Sequence, residues 1–140
     1  MNIINFNDNS FKNTKTYQDF INENPSSACL NIRASSASLA VPISNVKIMV
    51  SKIIDDYKVI FYEGSTDESG MINKIILPTP KTNSNDLDIP KGTTYNIEAI
   101  YDIDNINSNY PVTMYPNICV VQNINITPTL MVFDEVSYGN

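Results

Sequence analysis

The chain predicts an all-β fold, a seven-stranded Ig-like sandwich with a short N-terminal helical arm and a C-terminal extra strand or tail. Three observations carry this. From Ala28 the apolar periodicity changes from helical to alternating, β-branched and aromatic residues become frequent, and short runs of this kind recur between turn signals. A length of 140 residues suits one core, because a chain of this size buries roughly two thirds of its unfolded surface. The expected organisation is an arm over 1–27, a sandwich domain over 28–128 and a tail over 129–140.

The arm is polar and Asn-rich, with a helical segment from Thr16 to Pro25. Thr16 suits the N-cap, Asp19 the capping-box position and Pro25 the end, which places Tyr17, Phe20 and Ile21 on one face. That face either docks on its own domain or reaches a neighbour. The predicted strands follow as Ala28–Ala34, Val46–Ser51, Lys58–Glu63, Met71–Leu77, Thr94–Tyr101, Tyr110–Met114 and Ile118–Ile126. In the second, Val46, Ile48 and Val50 alternate with Lys47, Met49 and Ser51; in the fifth, Tyr95, Ile97 and Ala99 alternate with Asn96, Glu98 and Ile100. Each set turns one face to the core. The connection from Thr79 to Gly92 is the longest inside the domain, and loops of that length and polarity often carry function. Beyond Thr127-Pro128-Thr129, the run Leu130-Met131-Val132-Phe133 is long enough for an extra edge strand.

Composition excludes several functions. A net charge of −6, nine scattered basic residues and a single arginine, Arg33, argue against a nucleic-acid surface, whose affinity rests on clustered cations. No window approaches the ~18 uninterrupted apolar residues of a membrane helix, and residues 1–10 lack the basic and apolar regions of an export signal. With no histidine, Ser-His-Asp and Cys-His arrangements cannot be built. The close acidic pairs Asp55-Asp56, Asp86-x-Asp88 and Asp102-x-Asp104 fall in predicted turns, where aspartate bonds to backbone. Residues Asp102 to Asn107 offer several oxygen ligands but lack the glycine and terminal glutamate of a calcium loop. No catalytic residue, metal or cofactor is expected. The two cysteines, Cys29 and Cys119, cannot make a zinc site without histidine. They are either small buried hydrophobes in strands or a disulfide, within the chain or between subunits.

The most informative local feature is Thr66-Asp67-Glu68-Ser69-Gly70 ahead of the strand Met71–Leu77. Asp67 can accept from backbone groups ahead of it and Gly70 can take a positive φ, so Thr66, Asp67 and Gly70 form a turn device without chemistry of its own. Together with Pro42-Ile43-Ser44-Asn45-Val46 and Gly92-Thr93-Thr94-Tyr95-Asn96-Ile97, this order resembles the carboxypeptidase regulatory-like domains over about Ala28 to Pro128. The resemblance implies a transthyretin-like sandwich with no catalysis of its own. It departs from the pattern at Asn45, where a small residue, often Gly or Ala, usually precedes the second strand.

The segment Tyr17–Pro25, the Pro80–Pro90 loop and Val120–Pro128 add a narrower resemblance to domains of spore-associated proteins in Firmicutes. That implies a location on a spore surface or the exterior of the cell envelope, reached without a signal peptide. The expected function is therefore a non-catalytic structural or assembly protein of a spore coat, exosporium or appendage. Its partners would be further copies of itself or other spore and envelope proteins. Strand addition supplies the physical motive, with Ile3, Ile4, Phe6, Tyr17, Phe20, Leu130, Val132 and Phe133 as assembly contacts. The alternative is a monomeric binding or targeting module for cell-wall or cortex glycan or a partner enzyme, using the Pro80–Pro90 loop and exposed tyrosines.

Overall fold

The computed structural model describes residues 1–36, 41–82, 89–101 and 106–126. The elements run β1 (Asn2–Asn5), α1 (Asn9–Lys12), α2 (Lys15–Glu23), β2 (Ser26–Ser36), β3 (Val41–Pro42), β4 (Lys47–Ile54), β5 (Tyr57–Ser65), β6 (Met71–Thr79), β7 (Thr93–Tyr101), β8 (Ile106–Met114) and β9 (Cys119–Asn125). All seven expected strands are present as β2 and β4–β9, with β1 and β3 as short additions. One sheet has the order β1-β5-β4-β7-β8 and the other β3-β2-β6, with β9 also pairing with β2. Pairing is antiparallel except for β1 on β5 and β9 on β2, which are parallel.

Alternation explains the core. Val46, Ile48 and Val50 of the first sheet, with Tyr95, Ile97 and Ala99 beside them, meet Leu30, Ile32, Ile72, Leu77 and Ile124 of the second in one buried cluster. Ser51 departs from its expected outward exposure. It is buried because it lies mid-sheet between Ile60 and Asn96, where a short side chain is shielded by longer neighbours.

The crossing between sheets is latched at the turn motif. Asp67 accepts from the backbone N–H of Ser69 and Met71 at 2.9 and 3.0 Å. Gly70 has φ +73°, and a Cβ there would collide with the carbonyl oxygen of Ala34, so only glycine fits. The buried Thr66 hydroxyl donates to the Ile43 carbonyl at 2.8 Å and accepts from Val46 N–H at 3.1 Å, tying the β3–β4 connection to the β5–β6 connection. Asn45, where a small residue was expected, has φ 61°; its short polar side chain tolerates this left-handed conformation better than most.

The first 27 residues are not a separate arm. β1 adds in parallel to β5 of its own chain, from Asn2 opposite Tyr57 to Asn5 opposite Ile60, and the boundary expected at residue 27 falls inside β2. The Phe6 ring stacks on Phe61 at 4.5 Å and approaches Phe11, Tyr17 and Phe20, while Phe11 meets Tyr57 edge-on at 5.2 Å. Phe11 is fully buried and Phe20 nearly so. Burying these rings within the chain is more favourable than holding them for a neighbour. The helix also starts earlier than predicted. Thr14, not Thr16, is the N-cap of α2, its hydroxyl accepting from Tyr17 N–H at 3.1 Å. Thr16 Oγ1 instead donates to Asp55 at 2.8 Å, and Asp19 pairs with Lys15 at 2.9 Å in place of a capping box.

Candidate functional site

The expected site residues fall into three places. Thr66, Asp67 and Gly70 form the inter-sheet turn and serve the fold. Phe6 and Phe20 pack against the core of their own chain, Tyr17 meets Phe6 and Phe11, and Ile4 is half-buried on β1, whereas Ile3 is 67% exposed there. Leu130, Val132 and Phe133 lie outside the described residues, as do positions 83–88 of the long loop and Asp102 to Asn105 of the calcium-like stretch.

Cys29 and Cys119 face one another in the β2–β9 pair and are joined by a disulfide. The parallel register that puts Cys29 opposite Cys119 also puts Leu30 beside Val120 and Asn31 beside Val121. Cys29 is opposite Ile76 on the other side, so Ile76, the disulfide and Val121 share the outer face of the second sheet. Ile76 is 62% and Val121 56% exposed, and Ile118 just before β9 is exposed too. A shallow depression of about 500 Å3 lies here, lined by the two cysteines, Asn31, Asn73, Lys74 and Ile76. Among the described residues β9 pairs only with β2, which leaves its outer edge unpaired. This combination of apolar face and open edge suits contact with another protein.

A second concavity of about 930 Å3 opens between α2, the end of β4 and the start of β7. Asp19, Glu23, Lys52, Asp55, Lys91 and Thr94 are among its lining residues. Its floor depends on one element that alternation could have revealed. Carrying the inward series Val46, Ile48, Val50 one step further reaches Lys52, which the predicted strand, ending at Ser51, left out. Lys52 is half-buried; its ammonium donates to the Thr94 carbonyl at 3.0 Å and lies 6.0 Å from the Tyr95 ring centroid. Partial loss of water holds its pKa below the ordinary lysine value. At the far wall, Thr93 Oγ1 donates to Asn24 Oδ1, and Asn24 Nδ2 donates to the Phe20 carbonyl at 2.9 Å, fixing the end of α2 to β7.

On the outer face of the first sheet, Lys58 and Glu98 form an ion pair at 3.0 Å across β4. Tyr95 is almost wholly buried and its hydroxyl donates to the Pro78 carbonyl at 2.6 Å, linking the two sheets. Burial raises its pKa well above the ordinary tyrosine value.

No family model matches the chain, and no curated protein matches it. Solved structures do. The chain is similar to transthyretin from Sparus aurata with a TM-score of 0.50 at 17% identity, over 71% of this chain and 88% of that one. It is similar to an (S)-allantoin synthase with a TM-score of 0.52 at 8% identity, over 74% of this chain and 41% of that one. A Klebsiella pneumoniae 5-hydroxyisourate hydrolase overlaps 70% of this chain and 90% of its own at a TM-score of 0.44 and 11% identity. At such identities the likeness of the first two is one of architecture. The chain has a transthyretin-like fold.

Proposed function

We propose that this protein is a non-catalytic building block of a bacterial spore surface, a coat, exosporium or appendage subunit that associates with further copies of itself. The observation that carries the reading is the outer face of the second sheet, where exposed Ile76 and Val121 share a face with the Cys29–Cys119 disulfide beside an edge of β9 that is unpaired among the described residues. The spore context rests on the resemblance of Tyr17–Pro25 and Val120–Pro128 to spore-associated domains of Firmicutes. A disulfide is also favoured by oxidising surroundings outside the living cell. The absence of histidine and the placing of Asp55-Asp56 in the β4–β5 turn support a role without catalysis. Assembly proceeds through the sandwich face and not through the N-terminal segment, which is already folded onto its own chain.

The test is sedimentation and negative-stain microscopy of the full chain from about 1 to 500 μM, a range that brackets weak and strong self-association. Concentration-dependent oligomers or filaments are expected, and an Ile76→Lys/Val121→Lys variant should remain monomeric while melting at the wild-type temperature. A wild-type protein that stays monomeric throughout and sediments with cortex peptidoglycan would point instead to the monomeric binding module.

A further inference from the structure

We propose that the concavity between α2 and the β4–β5 hairpin binds a small zwitterion, a free amino acid or short peptide whose carboxylate meets Lys52 and whose ammonium meets Glu23 and Asp55. The argument starts from Lys52. It sits on an inward position of β4 and is partly withdrawn from water, yet among the described residues no carboxylate pairs with it. Its ammonium has three N–H groups and one hydrogen bond, to Thr94 O. A partly desolvated charge without a counter-charge is unfavourable, and its depressed pKa expresses that cost. An anion entering from the open side relieves it. Lys91, exposed on the same side, adds to the positive field.

The same cavity also carries groups of the other sign. Glu23 ends α2 and makes no hydrogen bond or ion pair among the described residues. The carbonyl end of the helix adds partial negative charge at the same place. Asp55 is held in the hairpin turn at φ 52°, accepting one hydrogen bond from Thr16, which leaves most of its acceptor capacity open. Asp19 is neutralised by Lys15 and drops out. A cavity lined by unpaired groups of both signs favours a ligand carrying both charges. A phosphate or other multivalent anion would be repelled by Glu23 and Asp55, and the described residues contain no group of three acidic or sulfur ligands suited to a metal. The volume of about 930 Å3 accommodates a peptide of a few residues.

The test is an amide-resolved NMR titration of the full chain with triglycine, N-acetyl-triglycine and triglycine amide at low ionic strength. Triglycine is expected to give saturable shifts at Glu23, Thr93 and Thr94 with a Kd on the order of 1 mM. Each blocked peptide, lacking one charge, should bind about tenfold more weakly. Lys52→Met and, independently, the surface variant Glu23→Gln should each weaken triglycine about tenfold. The idea is overturned if triglycine leaves these amides unmoved, if both blocked peptides bind as tightly as triglycine, or if folded Glu23→Gln binds with wild-type affinity.

Discussion

Tyr95 shows how one side chain can join two layers. Its ring fills the core beside Phe61, and its hydroxyl reaches the backbone of β6 in the opposite sheet. Tyr95→Phe should cost about 1 kcal/mol at neutral pH, the net worth of one hydrogen bond. The pH dependence has a definite sign. The folded pKa lies above the ordinary 10.0, so the stability it confers is complete below that value and is lost as pH rises above it. Lys52 runs the other way: its folded pKa is below 10.5, the unfolded chain holds that proton longer, and stability rises with pH as 10.5 is approached. Urea melts across the alkaline range should show a decline above pH 10 in the wild type that is shallower in Tyr95→Phe; equal slopes would exclude Tyr95 as its source. That Tyr95 faces inward was legible from its alternation with Ile97 and Ala99. That its hydroxyl would find Pro78 was not, because Pro78 belongs to another sheet and lies 17 residues away.

Among the elements, β9 and the N-terminal segment are the two whose placement matters most for surface and stability. β9 is held to β2 by a parallel ladder and by a crosslink spanning 90 residues. Closing a loop of that length stabilises a fold by about 4–5 kcal/mol in the chain-entropy account. Cys29→Ser/Cys119→Ser should therefore melt substantially lower, and alkylation of the unreduced wild type should find no free thiol; a free thiol would contradict the pairing. The N-terminal helices act through Phe11, which is buried among Phe6, Tyr17 and Tyr57. Phe11→Ala should cost about 3–5 kcal/mol, the usual penalty for deleting a buried aromatic ring, measurable by denaturant unfolding. A loss below 1 kcal/mol would mean that the segment is only loosely docked. The apolar face of α2 was readable from Tyr17, Phe20 and Ile21, but its cap was misplaced by two residues. Thr14 and Thr16 are both sound capping residues, and the choice fell to Thr14 once Thr16 could reach Asp55 on a distant hairpin.

For the molecule as a whole, two surfaces remain beyond what stability requires, the apolar outer face around the disulfide and the charged concavity at the sandwich end. The first is the face proposed for assembly and the second the cavity proposed for a small ligand, and they are built on different strands. Sequence by itself determined the strands, their inward and outward phases, the turn at Asp67 and Gly70, and the absence of histidine-based chemistry. These are local properties, set by a two-residue period, by backbone conformation and by composition. Only the tertiary structure decided that β1 would complete its own chain's sheet, that Cys29 would meet Cys119, and that Lys52, Glu23 and Asp55 would line one cavity. Each of those depends on which elements become neighbours in space, and that follows from packing two sheets and two helices around one core, a condition no short stretch of residues encodes alone.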